Sequence, residues 1–377
     1  MQAKNRIQYL LLISVIIIGS CSKINQPEPS GNLLPPQTSL TGVIQDDFEG
    51  QSIVIYANSR YQTMVAFSRI TESGKTLDFH LSPNNFPFIF EDNEGTQWDI
   101  FGLAISGPGT GDKLIPVSYQ VGFWFSFSSF FPKVTMYGEA LNERLDTRFN
   151  SSEWLINPDD IKQGASRDGI PSINNPEFDL VVDLFDGSDG PYEDNELMVV
   201  IQEEASVKVF PHAILNWHEI VNDTINGVNV ALSYCPLTGT SSIWNSQIGS
   251  QTLDFGVSGL LYNNNLILYD RNTESLWSQI INQSINGSLK NNIPKRENSV
   301  EMNWRGVKQL HKPTLLLSKN TGFSRRYDLY PYGDYRANSN LLFSITYTDD
   351  RLHPKERVLA VMIGDKAKVY QFEDFTN

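Results

Sequence analysis

Cysteine and histidine are the side chains of this sequence best suited to metal or nucleophile chemistry, and both are scarce, with two cysteines and five histidines in the chain. Cys235 follows the alternating stretch "NVALSY", and His218 lies in an apolar segment that begins at His212. The turn at 222–227 could bring the segment and the strand together. A thiolate and an imidazole bind soft or borderline metals and also form nucleophile–base pairs. Cys235 and His218 are therefore the first candidate site, with His212 as a further ligand.

Charged residues near the same segments could support this chemistry. Asp223, Glu219 or Asp270 could orient the imidazole of His218. Asp270 and Arg271, in "YDRNTESLW", could bind an anion, although the segment also fits a hairpin turn because "EDNEGTQW" has a similar pattern earlier in the chain. The competing interpretation of the cysteine and histidine is structural, since free cysteine is one of the residue types most often buried.

Three functions are open on these residues. The first is a metal-binding or redox-responsive role for Cys235 and His218, with copper or zinc as the expected ion. The second is a non-catalytic module that binds a glycan or a protein through exposed aromatic residues. The third is a thiol-dependent hydrolase, which requires an exposed and activated Cys235.

The first residues of the chain match an export signal for a lipoprotein. Lys4 and Arg6 precede an apolar run over 10–18, which is shorter than the roughly 20 residues that span a bilayer. The run ends in "IGSC", which resembles a bacterial lipobox. Residues 1–20 are therefore predicted to be a signal peptide, and Cys21 is predicted to carry the lipid that holds the protein to a membrane of the cell envelope.

The residues after the signal peptide predict a tether, and the net charge of the chain excludes one class of partner. Residues 21–45 are rich in proline and polar residues and are expected to form a flexible tether. Ser22 follows the lipidated cysteine, and by resemblance to lipoprotein sorting rules this favours the outer membrane. The net charge of −14 argues against nucleic acid as a partner, because phosphate would be repelled.

Several segments resemble one another in the same order, which predicts a duplication. Residues 227–244 match 49–67, and the tetrapeptide "TLDF" follows both. Residues 196–215 match 357–375 at the end of the chain. This order is what a circular permutation of a tandem duplication would leave.

The duplication predicts the domain organisation. One β-rich unit would be 196–356, which carries the cysteine and histidine candidates, and the other would be 42–140 joined to 357–377. Residues 141–195 would be an ordered connecting loop region. We expect strand 357–370 to share a sheet with strand 52–57, which would bring the ends of the globule together.

Alternating apolar residues and dense turn signals predict mainly β structure. One helix is expected at 212–221 and short helical turns at 124–131 and 158–163, and the apolar run 123–131 is expected in the core. The predicted fold class is therefore mainly β, with two pseudo-equivalent β-rich repeat units in one compact globule and few short helices.

Longer motifs carry a family resemblance. They are "RDGIPSINNPEF", "AILNWHEIVNDTINGV", "SYCPLTGT", "FGVSGLLYNNNLILYDRNTESLWSQ", "SKNTGFSRRYDLYPYGDY" and "RLHPKERVLAV". Together they resemble the bacterial and archaeal family called domain of unknown function 3179, over nearly the whole globular chain. The resemblance implies no activity. Many members have "CPLCG" where this chain has "CPLTG" at 235–239, so a role for two thiols is not expected here.

Overall fold

The computed structural model describes residues 39–131, 133–139, 151–181 and 190–375. Residues Ser39–Asn377 form one compact unit. The predicted signal peptide, Cys21 and most of the predicted tether lie outside the described residues. Within the described ranges, no helix has the length and apolar character needed to cross a membrane.

The described residues contain 27 strands. The first nine are β1 (Thr41–Phe48), β2 (Gln51–Asn58), β3 (Thr63–Ser68), β4 (Phe79–Leu81), β5 (Phe88–Asp92), β6 (Gln97–Asp99), β7 (Ala104–Ser106), β8 (Tyr119–Phe123) and β9 (Thr135–Met136). The next nine are β10 (Lys162–Gln163), β11 (Ile173–Asn174), β12 (Phe178–Val181), β13 (Leu197–Glu203), β14 (Ser206–Pro211), β15 (Ile220–Ile225), β16 (Val228–Cys235), β17 (Thr240–Asn245) and β18 (Gln247–Ile248). The last nine are β19 (Gln251–Thr252), β20 (Phe255–Tyr262), β21 (Asn265–Asp270), β22 (Leu276–Ser278), β23 (Gln283–Asn286), β24 (Val300–Asn303), β25 (Thr314–Leu317), β26 (Arg357–Ile363) and β27 (Lys366–Gln371).

Helices are few and short in the same residues. The α-helices are α1 (Trp124–Phe130), α2 (His212–His218) and α3 (Trp304–Lys308). Single 3-10 turns occur at Pro158–Asp160, Tyr335–Ala337 and Phe372–Phe375. The predicted class, mainly β with few short helices, is confirmed.

The strands form six sheets and one small ribbon, and the arrangement resembles a six-blade β-propeller. We name the sheets A (β1-β2-β3), B (β4-β5-β6-β7), C (β8-β26-β27-β9), D (β12-β25-β14-β13-β24), E (β11-β15-β16-β17) and F (β10-β20-β21-β22-β23), with β18 and β19 forming the ribbon. The prediction of two repeat units is therefore wrong, because the repeating structural element is the single sheet.

The expected sharing of one sheet by 357–370 and 52–57 is also wrong. Strands β26 and β27 belong to sheet C, whereas β2 belongs to sheet A. The two sheets instead pack against each other through buried apolar residues, which include Ile53 and Ile55 from β2 and Leu359 and Val361 from β26. Alternating apolar residues predict strands, but they do not select the neighbour to which each strand forms hydrogen bonds.

Sheets C and D are each assembled from strands that are distant in sequence. In sheet C, β26 pairs antiparallel with β8 and β27 pairs parallel with β9. In sheet D, β13 pairs antiparallel with β24 and β14 pairs parallel with β25. The same order and polarity of four strands therefore occur in both sheets.

Helix α2 is shorter than predicted. It ends at His218 because Glu219 has a positive φ of 58°, which a right-handed helix does not accommodate. Ile220 and Val221 then begin β15 and pair with Ser233 and Leu232 of β16. β-Branched residues favour this extended conformation.

The helical turns expected at 124–131 and 158–163 are present in the structure, and the predicted connecting loop contains strands. The helical turn expected at 124–131 is α1, and every one of its side chains is buried, so the core assignment is confirmed. The turn expected at 158–163 is a 3-10 turn followed by β10. Residues 151–181 of the predicted connecting loop add strands β10, β11 and β12 to the edges of sheets F, E and D. Residues 141–150 and 182–189 lie outside the described residues.

Candidate functional site

Cys235 lies at the end of β16 and is buried. Its Sγ donates a hydrogen bond to the carbonyl oxygen of Asn264 at 3.4 Å. Burial, and then the nearby Glu219 carboxyl, raise the pKa of the thiol to about 11. The sulfur is therefore protonated near neutral pH. Nucleophilic attack and metal ligation both need the deprotonated thiolate.

His218 is buried in a different hydrogen-bonded environment. Its Nδ1 lies 2.7 Å from the carbonyl oxygen of Pro171, and because a carbonyl can only accept, Nδ1 carries the proton. Nε2 is then an acceptor, and the hydroxyl of Tyr327 lies 2.6 Å from it. Both ring nitrogens are engaged, burial lowers the pKa of the imidazole, and no hydrogen bond in the described chain joins His218 to Cys235.

His212 occupies a third environment. Its ring packs on that of Tyr234, with 4.2 Å between centroids, and its Nε2 lies 3.5 Å from Oε2 of Glu301. Burial lowers the pKa of this imidazole as well. Among the described residues, no group of three or more histidine, cysteine, aspartate or glutamate side chains is placed to hold a metal ion.

The predicted supporting residues are engaged elsewhere. Asp223 pairs with Lys208 at 2.9 Å. Asp270 accepts hydrogen bonds from the turn at Thr273 and from the indole of Trp277. The hairpin interpretation of this segment is therefore confirmed.

Arg271 and Glu219 make their contacts away from the imidazole. Arg271 donates to Asp168 at 2.8 Å and to the hydroxyl of Ser172 at 3.2 Å. Glu219 is buried and accepts a hydrogen bond from the hydroxyl of Tyr332 at 3.3 Å. None of the proposed supporting side chains has a hydrogen bond to His218 in the described residues.

A polar cavity of about 300 Å³ lies where the edge strands β8, β17 and β24 of sheets C, E and D come together. It is lined by residues 116–121, 241–243, 282, 296–299 and 301. Pro116 and Ser118 are exposed, so the cavity meets solvent, whereas Gln120, Ser242 and Glu301 are buried. Its volume is at the lower end of the range for small-molecule sites.

Two buried polar atoms of this cavity lack a hydrogen-bond partner in the described chain. They are Oε1 of Gln120 and Oγ of Ser242, in side chains that are 3% and 4% exposed. The amide nitrogen of Gln120 donates to the carbonyl oxygen of Ser241 at 3.2 Å, so Oε1 must point the other way. A buried polar group without a partner costs about 1–3 kcal/mol. Both atoms are shielded from solvent, so a ligand or water in the cavity could satisfy them only after the side chains rotate.

Arg296 brings a positive charge to the same cavity. Its Nε donates to the side-chain oxygen of Asn282 at 3.0 Å, and its Nη1 donates to the carbonyl oxygen of Tyr119 at 3.3 Å. Burial lowers its pKa to about 10, so the guanidinium stays charged at neutral pH. Sequence inspection missed this residue, and its single visible signal is the charged segment "KREN" at 295–298 between two strands.

No tryptophan is fully exposed, which gives little support to the expected exposed aromatic groove. The structure describes all seven tryptophans, of which five are buried and two, Trp154 and Trp217, are partly buried. Trp217 also donates its indole hydrogen to the carbonyl oxygen of Leu329.

The buried thiol should be almost unreactive in the folded protein. In a Cys21→Ala chain, Cys235 is the single thiol, and we expect it to react with a disulfide reagent at pH 7.5 at least about a hundredfold more slowly than in urea, because thiolate and access are both lacking. The measurement is the release of the chromophore with time. Equal rates in folded and unfolded protein would contradict the assignment of Cys235 to the core.

The buried Glu219 should make stability depend on pH. Burial raises the pKa of Glu219 to about 7, above the roughly 4.3 of a glutamate in the unfolded chain. The folded protein therefore gains stability from protonated Glu219 below about pH 4 and loses it as the pH rises through 7. Glu219→Gln should therefore be more stable than wild type at pH 8 by roughly 1–3 kcal/mol, with the gain shrinking towards pH 4.

Urea unfolding of wild type and variant across this pH range measures the difference. The exposed Glu72→Gln is the matched control and should show no such trend. A Glu219→Gln protein whose gain is constant with pH would contradict a neutral, buried carboxyl.

Comparison with known proteins adds a family but no named activity. No curated protein and no solved structure matches the chain. The profile of the family described as "Protein of unknown function (DUF3179)" matches residues 31–134 and 167–377, and this confirms the resemblance seen in the motifs. Because the match covers most of the chain, the protein belongs to the DUF3179 family.

Proposed function

We propose that this protein is a lipid-anchored protein of the cell envelope that binds a small polar solute in its polar cavity without transforming it. The observation that carries the proposal is the guanidinium of Arg296, which has no ion pair among the described residues and lines one solvent-accessible cavity together with Gln120 and Ser242. Oε1 of Gln120 and Oγ of Ser242 have no hydrogen-bond partner in the described residues, and a solute would remove their desolvation cost once the two side chains rotate towards it.

Binding is favoured over chemistry by the state of the reactive groups. The thiol of Cys235 is buried and protonated, which disfavours the thiol-dependent hydrolase. Both nitrogens of His218 already have partners, which disfavours ligation of copper or zinc by this residue. The binding module therefore remains, with the cavity in place of the exposed aromatic surface.

The anchor is part of the proposal. The "IGSC" sequence that ends at Cys21 supports lipidation, and Ser22 after it supports the outer membrane. A tether between the anchor and the compact unit would keep the cavity close to the membrane, where solutes cross the envelope.

Blocking the mouth of the cavity tests solute binding. A panel of monosaccharides, sugar acids and amino acids is screened for a rise in the melting temperature, which should reach several degrees at a hundredfold excess over Kd. Ser118→Trp should abolish the rise, because the exposed Ser118 lines the cavity and a large ring there fills the entrance.

Ser73→Trp places the same ring in an exposed turn away from the cavity and is the matched control. It should respond as wild type does. An equal rise in Ser118→Trp, or no rise with any solute, would refute the proposal that this cavity binds a solute.

Removing the lipidation residue tests the anchor. Cys21→Ala should abolish incorporation of a labelled fatty acid and release the protein from the membrane fraction, whereas Ser22→Ala should leave both unchanged. Labelled protein in the Cys21→Ala strain would refute lipidation at this residue.

A further inference from the structure

We infer that the solute is a small monocarboxylate that also carries hydroxyl groups, with its carboxylate held by the guanidinium of Arg296. This inference rests on the proposed function and names the chemical class of the ligand. It is drawn from the charge balance of the cavity and from the donors and acceptors that its walls leave unused.

The guanidinium of Arg296 has N–H donors that form no hydrogen bond with the described residues. An arginine side chain has five N–H donors, and the two hydrogen bonds to Asn282 and Tyr119 use two of them. The remaining N–H groups form the planar fork that binds a carboxylate through two parallel hydrogen bonds. Among the described residues, no carboxylate forms an ion pair with Arg296.

The two acidic residues of the cavity, in contrast, are already compensated. Glu301 forms an ion pair with Arg357 and lies 3.5 Å from His212. Burial acts to raise the pKa of this carboxyl, but Arg357 and then His212 together outweigh burial and hold the pKa at about 2. Glu297 pairs with Lys295 at 3.2 Å. The positive charge of Arg296 is therefore the one charge of the cavity lining that no described residue compensates. A ligand with one negative charge would compensate it.

The same acidic residues limit the charge of the ligand. A second negative charge on the solute would approach Glu297 or Glu301, which also line the cavity. Like charges brought together away from bulk water repel strongly. A monocarboxylate is therefore favoured over a dianion such as phosphate near neutral pH.

The hydroxyl groups follow from the atoms that a carboxylate cannot satisfy. Oε1 of Gln120 can only accept, and an ionised carboxylate has no proton to donate to it. After rotation of these two shielded side chains towards the cavity, a hydroxyl group can donate to Gln120, and it can also donate to or accept from Oγ of Ser242. Sugar acids combine both kinds of group in a molecule small enough for a cavity of about 300 Å³.

The experiment compares solutes that differ in one group. Binding of galacturonic acid and galactose to the full chain is measured by calorimetry, because the two share a ring and differ at the carboxylate. The acid should bind at least about tenfold more tightly, as expected for one charge-assisted bidentate pair, and higher salt should reduce the difference. Propionate, which lacks hydroxyl groups, and inorganic phosphate should each bind at least about tenfold more weakly than the acid.

Two variants test the role of the guanidinium. Arg296→Gln should bring the affinities for the acid and the neutral sugar within about twofold of each other, through loss of affinity for the acid. Lys75→Gln removes an exposed cation that does not line the cavity and should leave the preference intact. If Arg296→Gln does not fold, the comparison of the acid with the neutral sugar in wild type still decides.

The outcomes separate this inference from the proposed function. Galactose binding as tightly as the acid, or phosphate binding more tightly, would overturn the carboxylate assignment while solute binding stands. Propionate binding as tightly as the acid would overturn the requirement for hydroxyl groups. No saturable binding of any solute in the whole panel would overturn both proposals.

Discussion

Pairing of the C-terminal hairpin with strands from the first half of the chain is the constraint on which the rest of this structure depends. The C-terminal hairpin β26–β27 lies between β8 and β9 and supplies hydrogen-bond partners to both. Without the hairpin, the backbone of β8 would be unpaired inside the protein, which costs free energy for every buried N–H and C=O. Because β8 carries Tyr119 and Gln120, closure of sheet C also places one wall of the polar cavity. Fold closure and the candidate site are therefore linked through one strand.

The interior of the protein contains many polar side chains. Some have all their hydrogen-bond partners within the fold, and others keep atoms without a partner. Asp270 shows the structural case, because each of its oxygens accepts from a neighbour in its own hairpin. Asp92 repeats this arrangement, with the indole of Trp98 as the donor. Arg296 and Gln120 are the contrasting case, since both line a cavity and have polar atoms without a hydrogen-bond partner among the described residues.

The repeated segments of the sequence had a structural meaning different from the one inferred. Phe79 and Phe255, which end the two "TLDF" tetrapeptides, begin β4 and β20, so the repeat marks the entry into sheets B and F. The period of the similarity was long because it spans several sheets at once. The strands expected at 52–57 and 357–370 were therefore located correctly, while the unit of repetition was not, because the similarity of two strands does not say which partners complete their hydrogen bonds. The short helix α3 was missed for another reason, since five residues carry too little periodicity to be recognised.

The sequence by itself determined the class of the fold, the burial of the aromatic run in α1 and the hairpin around Asp270, because each depends on neighbouring residues and on local backbone preference. It also pointed to Cys235 and His218 as residues of interest. It could not show that the carbonyl of Pro171 and the hydroxyl of Tyr327 form hydrogen bonds with the two nitrogens of the His218 imidazole. Tertiary structure alone decided that Arg296 lacks an ion pair in the described chain and that Gln120 lies beside it in one cavity. The physical reason is that charge compensation and hydrogen bonding are settled by residues far apart in the chain, which only sheet pairing brings within reach of one another.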